Sequence, residues 1–185
     1  MSDPISLEQA LATLPIPLRP YKTLTPNYLD PSEWRPGKAS RAATPPGWAA
    51  LRLAVIARDG GCVYCGHRQS EGERRDRLEV NHLNGYRDNR PEALETVCVL
   101  CHRVLHAGRS AAVYGSLVLF RRAAVDQNTL IRLSWHLRLA QHMPDRPLMA
   151  LLGLEDQAPF RMDRPYLAGL RGYVVEQYWM LETRP

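Results

Sequence analysis

The chain has 185 residues, of which 45% are apolar, enough for one ordinary domain or a small core with an arm; disorder throughout is excluded. Its longest apolar runs, 116–120 and 148–152, are far shorter than the ~20 residues that cross a bilayer, and residues 1–10 lack the basic start and apolar run of a secretory signal, so no membrane partner and a cytoplasmic setting are expected. A net charge of +5 favours an anionic partner such as nucleic acid without proving one; Lys22 and Lys38 are the only lysines, and the arginine excess suits phosphate but follows equally from a G+C-rich genome.

Residues 1–46 hold nine prolines, each removing a backbone donor and disfavouring helix in the residue before it. An extended arm is predicted, with one short helix near 6–14. Its Tyr21, Tyr28, Trp34, Arg35, Lys38 and Arg41 suit wrapping either the domain itself, the commoner use, or a nucleic acid. Trp48, Leu51, Leu53, Val55 and Ile56 repeat at helical spacing, which predicts a helix over 47–58 that stops at Gly60-Gly61. A cysteine pair and a polar loop follow, and then Leu78–His82, whose period of two predicts a strand ending at His82. Asn84-Gly85 signals a turn, 88–91 a loop, and 94–97 a second short strand entering a second cysteine pair. A helix is expected over 102–107 with Gly108 as its cap, then a strand or helix start at 113–120 and a helix over 126–142 capped by Asp126 or Asn128. Leu167, Leu170, Val174, Tyr178 and Leu181 keep helical spacing, so a last helix is predicted over 165–181, although Gly169 and Gly172 each cost it ~1 kcal/mol. No internal repeat is visible.

Cys62, Cys65, Cys98 and Cys101 form two C-x-x-C pairs. In a reducing compartment disulfides are rare, and two such pairs complete a tetrahedral sulfur shell of the kind zinc accepts. Sulfur would occupy all four positions, leaving no open site for water, so this zinc would serve folding and any catalysis needs another centre. His102 and His106, at i and i+4 on one helix, face the same way and can hold a divalent ion; alone, that spacing is more often an ordinary helix feature. Here the helix starts at a cysteine pair that would also pin it to the strand of His82, which brings the three histidines together as neighbours. His67, His136 and His142 lack such support.

The runs Arg58-Asp59-Gly60-Gly61-Cys62-Val63-Tyr64-Cys65-Gly66, Leu78-Glu79-Val80-Asn81-His82 and Asn89-Arg90-Pro91-Glu92-Ala93-Leu94-Glu95-Thr96-Val97-Cys98-Val99-Leu100-Cys101-His102, with His106 beyond, resemble the HNH endonuclease family over about residues 47–109. The resemblance implies an α+β fold: a ββα-metal core over 47–109 braced by the four-cysteine zinc, flanked by the extended arm 1–46 and a mainly helical extension 110–185 packed on the core. It implies a metal-dependent DNA endonuclease or nickase in which His82 is the general base, Asn81, His102 and His106 hold Mg²⁺, Mn²⁺ or another divalent ion, and Arg87, Arg90 and Arg103 lie on phosphates. The family most often carries Asp or His where Asn81 stands. Ala93 replaces the middle asparagine that usually braces the loop aiming the base, with Asn89 or Asn84 as nearest substitutes. The alternatives are a zinc-stabilised scaffold that has lost cleavage and binds DNA or a protein, and a purely structural zinc domain. Apolar C-terminal helices would allow a homodimer, although packing within the chain is their commoner use.

Overall fold

A computed structural model describes residues 5–15, 20–28, 46–68, 78–85 and 87–175. Trp34, Arg35, Lys38 and Arg41 of the arm, and the part of the expected last helix beyond residue 175, lie outside the described residues.

The fold is α+β with two small antiparallel sheets. Helix α1 (Leu7–Ala12) starts at Ser6, whose side chain and that of Gln9 cap each other's backbone N–H groups. Helix α2 (Trp48–Asp59) ends at Gly60 in the left-handed conformation. Strands β1 (Leu78–His82) and β2 (Leu94–Cys98) pair in the register Asn81↔Glu95 and His82↔Leu94. A single 3-10 turn (Pro91–Ala93) leads into β2, and helix α3 (Val99–Leu105) begins directly after it with Cys98 as its N-cap. Gly108, the cap expected from the sequence, does not cap this helix. The C-cap is His106, and the chain continues into a π turn (Gly108–Val113).

The described part of the extension adds a three-stranded sheet to its helices. Strand β3 (Leu117–Arg122) is the centre of a sheet ordered β4-β3-β5, with β4 at Glu155–Ala158 and β5 at Arg171–Val174. Helices α4 (Gln127–Gln141), α5 (Asp145–Leu151) and α6 (Arg164–Ala168) complete it. Of the two expected caps, Asp126 and Asn128, it is Asp126 that caps α4, accepting from the Thr129 N–H.

The last helix expected over 165–181 is corrected: it stops at Ala168, and Arg171–Val174 is strand. The cause is tertiary. Gly172 pairs with Leu119, its backbone N–H and C=O are both taken by the buried Gln127 side chain, and a Cβ there would stand 3.1 Å from Leu117 Cδ1. Close approach of backbone to neighbour is what the glycine permits.

One hydrophobic cluster joins the arm (Ala10, Leu24), the cysteine segment (Leu100, Val104) and the extension (Leu130, Leu137, Tyr173). The described part of the arm therefore packs on the domain. Leu24 is buried and its N–H donates to Asn128 Oδ1, while the N–H groups of Lys22 and Asn27 donate to the carbonyls of Val63 and Val104. A smaller cluster of Val55, Val80 and Leu94, with Trp48 and Leu51 against it, sits between α2 and the β1–β2 pair. No helix among the described residues is long and apolar enough to cross a membrane.

Candidate metal centre and histidine site

All four cysteines are buried and free, and their Sγ atoms lie within 4.8 Å of one another. Tetrahedral zinc with bonds of ~2.3 Å needs sulfurs roughly 3.8 Å apart. Cys65 Sγ and Cys98 Sγ are 3.5 Å apart, so the group fits a metal such as zinc. Local turns build it. Gly66 N–H donates to the Cys62 carbonyl and the Cys62 N–H to the His67 carbonyl, closing the first turn; the Cys101 N–H donates to Cys98 Sγ in the second. Gly66 has φ +75°, and a Cβ there would meet the Tyr21 hydroxyl of the arm.

Burial pushes the Cys65 and Cys101 thiols well above their ordinary range; at Cys62 burial acts the same way but is outweighed by hydrogen bonds from Cys101, Cys65 and Cys98, which pull it well down. Four buried sulfurs in mutual contact need a cation before all can be thiolates. The extension contributes too: Trp135 Nε1–H of α4 donates to Cys98 Sγ at 3.1 Å, and His67, a histidine with no role assigned from sequence, stacks on the Trp135 ring at 3.9 Å.

His82, His102 and His106 lie around the free end of β1. Strand alternation sends Glu79 and Asn81 toward α3 and Val80 and His82 toward α2. On the α3 face, His102 and His106 meet edge to face with ring centroids 4.5 Å apart. His102 Nδ1–H donates to the Glu79 carboxylate, which fixes the tautomer and leaves Nε2 as the nitrogen with a lone pair. His106 Nε2 faces Asn81 Oδ1 at 3.3 Å. Two donors each ~2.1 Å from one cation stand about 3.0–3.4 Å apart, a spacing that this hydrogen-bonded pair also has.

Burial, then the positive neighbours His102 and Arg109, lower His106 to about 3, so its imidazole is neutral at physiological pH. Glu79 is held below the usual carboxylate range: burial opposes this, and the His102 hydrogen bond with the charges of His102 and Arg103 outweighs it.

His82 does not join that cluster. No ring contact links it to His102 or His106; its ring stacks on Trp48 of α2 at 5.4 Å and 7°, and Nε2 lies 3.0 Å from Asn89 Oδ1. The sequence had three imidazoles around one gap; two meet, and the third turns to the opposite face of the strand's last residue, within electrostatic reach of His106.

Asn89 is aimed by its loop. Arg90 donates to both carboxylate oxygens of Asp88, at 2.8 and 2.7 Å, and Asn84 donates to the same group, so Asn84 holds the loop while Asn89 takes the histidine. Ala93 is buried, and its carbonyl accepts the Leu83 N–H at 2.9 Å, a backbone bond tying the turn to the residue after His82.

Of the expected phosphate-binding arginines, Arg90 is spent on Asp88, Arg103 donates to Ser116 Oγ at 3.2 Å, and Arg87 is exposed. Three contributors escaped the sequence reading. Glu79 carried a usable signal, lying two residues before Asn81 and hence on its face of the strand. Trp48 and Glu95 become visible only once α2 is docked and β1 is paired with β2. No protein-family model and no curated protein matches this chain.

Proposed function

We propose that this protein is a metal-dependent phosphodiesterase of the HNH type that nicks or cleaves DNA, built around a structural zinc held by Cys62, Cys65, Cys98 and Cys101. The observation that carries the reading is at the end of β1: His82, held by Asn89 and Trp48, directly follows Asn81, whose Oδ1 is spaced with His106 Nε2 to share a cation. A phosphodiester laid across that strand end would touch both faces.

Asn81 Oδ1, His106 Nε2 and His102 Nε2 are the atoms to hold Mg²⁺ or Mn²⁺. The ion would supply Lewis acidity at the phosphoryl oxygens and the leaving 3′ oxygen. His82 gives its Nε2–H to Asn89 Oδ1, which leaves Nδ1 as the base that takes a proton from the attacking water. Asn89 thus performs the aiming that Ala93 cannot. Arg87 and Arg103 are the cations this reading assigns to flanking phosphates, a sequence-independent attraction.

The test is nicking of supercoiled plasmid by zinc-loaded protein with Mg²⁺ or Mn²⁺, beside His82→Ala. The variant should fold, keep its zinc and lose at least about a hundredfold in rate. Equal cleavage by both proteins overturns the reading. DNA binding without cleavage under any divalent ion would identify instead the zinc-stabilised binding module, which the neutral Asn81 and the lack of a side-chain amide at Ala93 favour.

A further inference from the structure

Glu95 is an unexpected residue for its place. It is 2% exposed, in a strand whose other members are Leu94, Thr96, Val97 and Cys98, and it stands directly opposite Asn81 across the sheet. Both its oxygens are used: Oε1 accepts from the Tyr64 hydroxyl at 2.8 Å and from Asn81 Nδ2 at 2.9 Å, and Oε2 accepts from Lys22 Nζ at 2.6 Å.

A carboxylate in an ion pair can only accept, so the group that Asn81 turns toward it must be the NH₂. The amide oxygen then points the other way, to His106 Nε2. A flipped amide would set oxygen against oxygen. An aspartate at position 81 would do the same: one of its oxygens would take the place of Nδ2, about 2.9 Å from Glu95 Oε1, and two carboxylates sharing a site do not both stay ionised.

We propose that Glu95 is a positioning residue for Asn81, holding its amide so that the oxygen faces the cation and supplying, from the neighbouring strand, the negative charge that an aspartate at position 81 would have carried. The inference rests on the nuclease reading above and adds to it the source of the missing charge. It also gives the arm a part in the site, since the counter-charge on Glu95 is Lys22, whose side chain is 54% exposed while that of Glu95 is 3% exposed. Asn81 and Glu95 should therefore be exchangeable as a pair and not singly.

The experiment is a double-mutant cycle on zinc-loaded full-length protein, reading Mn²⁺ affinity by electron paramagnetic resonance and thermal unfolding without Mn²⁺. Glu95→Gln frees the Asn81 amide to rotate and should weaken Mn²⁺ binding about tenfold. Asn81→Asp should lower the melting temperature and bind Mn²⁺ no more tightly than the parent. Combining the two should restore the melting temperature and bind Mn²⁺ at least as tightly as the parent. Simple additivity of the two substitutions, or unchanged binding in Glu95→Gln, overturns the inference. Should Glu95→Gln fail to fold, Lys22→Met keeps the buried carboxylate and removes its counter-charge; Mn²⁺ should then bind several-fold tighter, and unchanged affinity counts against the proposal. Mn²⁺ binding without the cycle's coupling defeats this inference alone. No Mn²⁺ binding in any zinc-loaded variant defeats the nuclease reading beneath it.

Discussion

The four-cysteine group and the histidine cluster are both assembled where β2 runs into α3, yet they are held in different ways. The cysteines arrive as two pairs, each closed by its own tight turn, and the sulfurs touch one another in the interior. The histidines at the end of β1 borrow their order: Glu79 accepts from His102, Glu95 accepts from Asn81 beside His106, and Asn89, from a separate loop, meets His82 on the other face. One arrangement is closed by local turns and buried, the other is propped by residues distant in the chain and partly open. Under the proposed reading, the first group would hold a metal that serves the fold and the second a metal that meets a substrate.

The strongest way to break the comparison is Cys98→Ser. If the cysteine group carries the fold, this variant should lose its one zinc and several kcal/mol of stability, read by metal analysis and thermal unfolding. A folded, zinc-free protein would remove the distinction altogether. Glu79→Gln tests the other side. It should leave zinc content and melting temperature near the parent's while weakening Mn²⁺ binding about 10- to 100-fold, the usual cost of removing a carboxylate behind a histidine ligand; calorimetric titration with Mn²⁺ measures it.

Next comes pH. His106 is lowered from 6.5 to about 3 by burial and its positive neighbours, so an unfolded chain takes up a proton there that the folded one refuses. The stability contributed by neutral His106 is complete above about pH 6.5 and is lost as pH falls toward about 3. An NMR titration of zinc-loaded protein without other divalent ions should find no His106 proton uptake between pH 7.5 and 5, and His106→Gln should flatten the fall in unfolding free energy over that range. The smallest effect is expected from Trp135→Phe, which removes one N–H to Cys98 Sγ and should make zinc easier to strip by chelator by about 1 kcal/mol. Unchanged zinc retention would make the indole packing material only.

The same contrast explains what could be read in advance. Spacing alone located all four sulfurs, because C-x-x-C is a local device. Period two located Leu78–His82, and the 3.6-residue period with Asp126 in front located α4. The props were hidden because each depends on a partner distant in the chain: Glu95 means nothing until it is known to face Asn81, and Trp48 nothing until α2 lies against β1. Arg171–Val174 misled for a related reason. Leu167, Leu170 and Val174 keep helical spacing, but Gln127 and Leu117 draw Gly172 into a sheet, so tertiary contacts overrode the local pattern.

The larger hydrophobic cluster takes Ala10 and Leu24 from one end of the chain, Leu100 and Val104 from the middle, and Leu130 and Tyr173 from the far side. The stretch bearing the metal ligands is consequently no portable cassette. Excised as residues 47–109 it would bare Leu100 and Val104 to water and leave behind Lys22 and Trp135, so recombination can transplant this centre only by moving its flanks along with it.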